Sequence, residues 1–161
     1  SNATDDADID LMIVTKNNRL WTTRLILTIY STLFGLRRTP YSQSNSGKLC
    51  LNLYLSPRSY LLPSDRRSLY TAYELIQVVP LYDPHDTHTQ LLSTNSWISK
   101  YLPNFPIPKH QLVKKRENGK TGLLEYVLYN LQLLYMRRKI TREYITPHAA
   151  FFHPSNPAPK V

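Results

Sequence analysis

Two aspartates separated by a single residue, Asp8 and Asp10, lie at the start of an apolar run. Residues 9–15 are mostly apolar, with β-branched members, and they predict a buried strand. Side chains at positions i and i+2 of a strand lie on the same face, about 6–7 Å apart, so both carboxylates can converge on divalent cations. Mg²⁺ takes oxygen ligands and shares them with substrate phosphates. Spacing alone leaves two interpretations open: a magnesium site and a solvated strand end.

A longer match extends this signal. Residues 4–14, with the sequence TDDADIDLMIV, resemble the pattern S/D-D-x-D-h-D-h-h-h-h of the DNA polymerase β-like nucleotidyltransferase superfamily, where h is apolar. The resemblance covers mainly residues 4–55, and the helical part beyond is similar to uncharacterised bacterial and archaeal members. It implies that Asp8 and Asp10 hold two Mg²⁺ ions. It also implies transfer of a nucleotidyl group from a nucleoside triphosphate to an acceptor, for which RNA and protein are candidates.

The chain departs from the family at a third position. The family has another acid between apolar residues of the next strand, and the corresponding residue here is Asn52. An amide oxygen can coordinate a metal, but it cannot serve as a general base. Because Cys50, Asn52 and Tyr54 alternate with leucines, we expect Asn52 to face Asp8 and Asp10 and complete the catalytic set.

A second departure concerns the N-terminus. The family's Gly-Ser turn, which precedes the first metal aspartate, is absent from the sequence. Residues 1–3 are interpreted as the remnant of an expression tag, and the chain is expected to be truncated and impaired. Loss of a strand would expose a sheet edge, and a homo-oligomer could form through that edge.

The elements that position these residues follow from hydrophobic periodicity. A helix is predicted over residues 19–36 and a second strand over residues 48–55. Further helices are predicted over residues 68–79, 87–101 and 121–139. The last of them carries an apolar stripe of Leu124, Leu128, Leu131 and Tyr135. The predicted fold is α+β: part of a mixed nucleotidyltransferase sheet followed by a helical C-terminal segment.

The predicted domain organisation has three parts after the tag remnant. Residues 4–63 form the nucleotidyltransferase core fragment, and residues 64–146 form the helical segment. Residues 147–161 are rich in proline and predict a tail without regular structure.

Charge and composition bound the class of protein. The chain has 20 Lys and Arg residues against 11 Asp and Glu residues, a net charge of +9. Such a surface attracts polyanions such as nucleoside triphosphates or RNA, although a basic surface tuned for solubility fits equally well. Two alternatives to the enzyme therefore stay open. One is a non-catalytic nucleotide- or RNA-binding relative of the same fold, and the other is a structural or oligomerising protein.

The remaining chemical signals favour structural roles. The single cysteine, Cys50, is predicted to be a buried apolar residue in a reducing compartment. The histidines at positions 85 and 88 fit a turn and a helix cap better than a zinc site. No apolar run reaches the roughly 18 residues that span a bilayer, so we expect a cytoplasmic protein without a membrane partner.

Overall fold

The computed structural model describes residues 9–37, 46–109, 121–137 and 143–152. The chain divides into two compact units. We call residues 1–56 and 120–154 the sheet unit, and residues 57–119 and 155–161 the helical unit. This division differs from the predicted one, because the helix that begins at Leu123 packs within the sheet unit instead of joining the other helices.

A mixed four-stranded sheet forms the frame of the sheet unit. Its strands are β1 (Ile9–Val14), β2 (Leu49–Leu55), β3 (Tyr144–Ile145) and β4 (Ala149–Phe151), in the spatial order β1-β2-β4-β3. β1 and β2 are parallel, whereas β4 is antiparallel to both β2 and β3. The strand at Ala149–Phe151 corrects the prediction of a tail without regular structure, since its backbone completes the ladder beside β2. Residues 153–161 lie outside the described residues.

Helix α1 (Leu20–Leu33) connects the two parallel strands. Two residues after its end, Gly35 adopts the left-handed backbone conformation, with a φ of 63°. The N–H of Leu36 donates to the carbonyl of Ser31, and the N–H of Gly35 donates to that of Thr32. These two bonds are those of a Schellman motif, which stops a helix and turns the chain away. The helix predicted over residues 19–36 is thus confirmed, but it begins one residue later and ends three residues earlier.

The core of the sheet unit lies between the sheet and its two helices. α5 (Leu123–Met136) packs against α1. The buried cluster contains residues of both helices and of β2 and β4, namely Leu20, Trp21, Tyr54, Met136 and Ala150. Cys50 is also buried, as predicted.

The described part of the helical unit contains three α-helices, α2 (Leu69–Ile76), α3 (Thr87–Thr94) and α4 (Ile98–Tyr101). Two short 3-10 helices, Pro57–Ser59 and Ser64–Arg66, precede them. The helix predicted over residues 87–101 is divided at Asn95. This residue is fully buried, and its side chain bonds the backbone of Tyr60, Leu62 and Leu91. The break has a physical cause, because an asparagine amide competes with the helix for backbone groups.

Candidate functional site

Asp10 is the second residue of β1, and its side chain is exposed at the amino end of that strand. Its neighbour across the ladder is Cys50 of β2. The four residues that follow, Leu11 to Val14, are partly buried and anchor the strand. An anchored strand with an exposed carboxylate at its start fixes where a ligand of that carboxylate would lie.

Asn52 lies beside Asp10. Its Nδ2 donates to Oδ1 of Asp10 over 3.3 Å, and also lies 2.6 Å from Sγ of Cys50. The strand register explains this proximity: Asp10 faces Cys50, but Met12 faces Leu53, so the pairing shifts by one residue between them. Such an irregularity bends a strand and re-aims its side chains. Here it brings the Asn52 amide next to the Asp10 carboxylate from the neighbouring strand.

The other predicted metal ligand, Asp8, lies outside the described residues. Within the described part of the chain, no three His, Cys, Asp or Glu side chains form a group that could hold a metal ion. The described polar groups at this position are the Asp10 carboxylate and the Asn52 amide. Asp10 offers hard carboxylate oxygens, the ligand type that Mg²⁺ prefers, and Mg²⁺ commonly takes only one or two protein carboxylates. Asn52 turns its amide nitrogen towards Asp10.

A polar contact between α1 and α5 positions the crossover that joins the two strands. Glu125, in the first turn of α5, is almost fully buried. Its carboxylate accepts from the backbone N–H groups of Trp21 and Thr22, at 2.9 and 3.0 Å, and from the Thr22 hydroxyl. Because Arg19 supplies no capping bond at the start of α1, Glu125 does so from another helix. Sequence analysis missed this role; the signal was an acid in the first turn of an otherwise uncharged helix.

Arg24 extends this contact further along α1. Its guanidinium donates to Oε1 of Gln132 at 2.6 Å and lies 3.0 Å from Sδ of Met136. It also stacks over the ring of Phe152, at 4.6 Å from the centroid. Burial lowers the pKa of Arg24 to about 10, against a smaller opposing effect of Tyr54. Arg24 ties α1, α5 and the end of β4 together.

The remaining polar signals serve local structure. The carboxylate of Asp83 accepts from the N–H groups of Thr87 and His88, at 2.7 and 2.9 Å, and so caps α3. The helix begins where the turn and cap were predicted, but the capping carboxylate is that of Asp83, and the N-cap residue Asp86 makes no side-chain capping bond. Burial works against ionisation, but these backbone bonds outweigh it and lower the pKa of Asp83.

Four groups of adjacent basic residues in the sequence are candidates for binding a polyanion, namely residues 37–38, 66–67, 114–116 and 137–139. The structure describes only some of their members. Arg67 donates from Nε to the carbonyl of Leu62 over 2.8 Å and supports the helical unit. Arg66 lies 3.9 Å from the Asp65 carboxylate, and Arg137 is exposed after α5. Residues 114–116, Arg38 and residues 138–139 lie outside the described residues, so polyanion binding by these clusters stays a prediction.

The chain matches no protein-family model, no curated protein and no solved structure. In the described part of the chain, every helix is too short or too polar to cross a membrane.

Proposed function

We propose that this protein is a metal-dependent nucleotidyltransferase that moves a nucleotidyl group from a nucleoside triphosphate to an acceptor. The observation that carries the proposal is the pairing of Asp10 with Asn52 on adjacent parallel strands. It brings one carboxylate and one amide together at an exposed strand end. The resemblance of residues 4–14 to the nucleotidyltransferase pattern supplies the second support.

Asp10 is the proposed metal ligand, with Asp8 as its predicted partner; Asn52 would add its oxygen only with the amide turned over, because its nitrogen faces Asp10. When bound, Mg²⁺ would neutralise phosphate charge and activate the displacement at phosphorus. The amide N–H of Asn52 holds the Asp10 carboxylate in one orientation. A fixed carboxylate loses less conformational freedom on binding a cation than a mobile one.

Asn52 is the residue that distinguishes the two candidate functions, the enzyme and the non-catalytic binding protein. An amide cannot take the proton of an attacking hydroxyl, so this site lacks the base that an aspartate would supply there. The same fact favours the second candidate function, a nucleotide- or RNA-binding relative without catalysis. In that case the protein binds triphosphate or RNA in a salt-dependent way and transfers nothing.

Label transfer tests the proposal. The protein as its gene encodes it is incubated with Mg²⁺, each labelled nucleoside triphosphate, and cellular RNA and protein. We expect transfer that Asp10→Ala reduces at least 100-fold. Asp65→Ala is the matched control, because Asp65 is an exposed aspartate of the helical unit, and it should leave transfer unchanged. Equal transfer by the Asp10→Ala and unmodified proteins would contradict the proposal.

A gain-of-function variant distinguishes the two candidates. Asn52→Asp adds a carboxylate 3.3 Å from the Asp10 side chain, and general-base catalysis is typically worth about 10²–10⁴ in rate. We expect Asn52→Asp to raise the transfer rate on the order of 10²-fold if the site is catalytic. Triphosphate binding without transfer, in both the unmodified and the Asn52→Asp proteins, would instead establish the non-catalytic function.

A further inference from the structure

Helix α5 turns its apolar side to the solvent. Seven of its large side chains are between 43% and 80% exposed. They are Leu123, Leu124, Tyr126, Val127, Leu131, Leu134 and Tyr135. The side that faces the core is mixed: Leu128, Tyr129 and Met136 pack into it, and Glu125 and Gln132 are buried there with partners on α1. A helix with one side in solvent normally carries charged and polar residues on that side. The outward side of α5 is apolar instead, which is the composition of an interface.

The spacing of the outward residues fits a second helix. Leu124, Val127, Leu131 and Leu134 follow one another at intervals of three, four and three residues. This is the a/d spacing with which two helices pack side chains into each other's gaps. We call these four residues the α5 seam.

Charge makes a second copy of this chain a suitable occupant. α5 contains one charged residue, Glu125, and that residue is buried. Two chains of net charge +9 repel each other over most of their surfaces, but at the α5 seam no like charges oppose. A symmetric contact needs a surface that is complementary to itself, and an uncharged strip of leucine and valine meets that condition.

The exposed area matches what a dimer needs. At about 150 Å² for each large side chain, the seven on α5 expose roughly 650 Å². α1 packs against α5, and four of its residues together with Phe34, which follows it, are more than half exposed. The four are Ile26, Ile29, Tyr30 and Leu33. Monomers rarely expose an apolar patch above about 600 Å², whereas a stable interface buries about 800 Å² on each partner.

We propose that two copies of this protein associate through the α5 seam, around a two-fold axis near Val127 and Leu131. This contact is distinct from pairing along the β1 edge of the sheet, because it uses side chains on a helix and no backbone hydrogen bonds. The dimer is independent of the proposed catalytic activity.

Light scattering coupled to gel filtration tests the dimer. The chain of 161 residues should have twice its own mass of 18.8 kDa. Leu131→Glu combined with Leu134→Glu should weaken association at least 100-fold and give the monomer mass. Val79→Glu combined with Leu81→Glu is the matched control, because these residues are 76% and 82% exposed in the helical unit, and it should remain dimeric.

Circular dichroism establishes that the variants keep their helices, and Leu131→Ala combined with Leu134→Ala gives a milder version with the same expected direction. A monomer mass for the unmodified protein at every concentration would overturn the proposal. So would a dimer that survives both seam variants, or one that the control variant dissociates equally.

Discussion

Tyr54 is one of the described residues of the sheet unit that have a buried polar atom without a hydrogen-bond partner. Its side chain is almost fully buried in the core, and its hydroxyl has no hydrogen-bond partner among the described residues. A buried hydroxyl without a partner costs about 1–3 kcal/mol. The ring itself packs well, meeting the ring of Phe152 edge-on at 6.4 Å.

We therefore expect Tyr54→Phe to be neutral or to stabilise the protein by up to about 1 kcal/mol, because it removes the unpaired hydroxyl and keeps the ring. Urea unfolding measures the change. Tyr82→Phe, at a highly exposed tyrosine, serves as the control and should have no effect. A loss of more than about 1 kcal/mol in Tyr54→Phe would mean that the hydroxyl has a favourable partner.

The same hydroxyl gives a pH dependence. Burial raises the pKa of Tyr54 above its usual value of 10.0, although the positive charge of Arg24 opposes this effect. Because the pKa of Tyr54 is higher in the folded state, the unfolded state loses this proton first as pH rises above 10. The free energy of unfolding is therefore unaffected by this group below pH 10 and falls as pH rises towards the folded-state pKa. The free energy of unfolding should therefore fall more steeply above pH 10 in the unmodified protein than in Tyr54→Phe. Parallel curves would contradict this account.

At the scale of elements, α1 depends on α5 for its start. The Glu125 carboxylate receives two backbone N–H groups and one hydroxyl from the first turn of α1. Because α1 connects β1 to β2, this contact also fixes the crossover that sets Asp10 beside Asn52. Stability of the α1–α5 pair and geometry of the candidate site are thus coupled.

Glu125→Gln should cost about 2 kcal/mol, because hydrogen bonds to a charged group contribute about 1.5–3 kcal/mol and an amide cannot accept from all three donors in the same way. Chemical denaturation measures the loss. Glu74→Gln changes an exposed glutamate of α2 in the same manner and should stay within about 0.5 kcal/mol of the unmodified protein. Equal effects of the two substitutions would rule out the capping role.

Local sequence patterns predicted where the strands and helices lie better than they predicted which elements pack against each other. The alternation over residues 48–55 and the apolar run over residues 9–15 predicted the positions of β2 and β1. β1 was expected to be buried, however, and its residues are exposed or partly buried. The stripe on the last helix was a misleading signal, because Leu124, Leu131 and Tyr135 are exposed and Glu125 and Gln132 are buried. Periodicity locates the apolar side of a helix but does not say whether that side meets its own core or another surface.

β4 escaped prediction for a related reason. Its three residues, Ala149 to Phe151, are too few for an alternating pattern, and proline lies close on both sides in the sequence. The strand forms because β2 offers an open edge with matching register. Long-range pairing of this kind leaves no local signal. The proximity of Asn52 to Asp10 was expected from alternation alone, whereas the register shift between the strands was not.

At the scale of the whole molecule, two surfaces of the sheet unit carry separate proposals. The amino end of β1 presents the Asp10 and Asn52 side chains for a cation and phosphate, and the α5 seam presents an uncharged strip for a second copy. The two lie on different elements, so variants of one can be studied with the other intact. Asp10 variants should remain dimeric, and seam variants should retain cation binding.

Cation binding at Asp10 tests the central claim most directly. Mn²⁺ can replace Mg²⁺ at oxygen-ligand sites, and as a paramagnetic ion it broadens the NMR signals of nearby amides. We predict that small additions of Mn²⁺ broaden the Asp10 and Asn52 amide signals first, and that excess Mg²⁺ restores them. Asp10→Asn should abolish the effect, whereas Asp65→Asn should not. Broadening that spares these amides, or that persists unchanged in Asp10→Asn, would contradict the metal site and the nucleotidyltransferase function built on it.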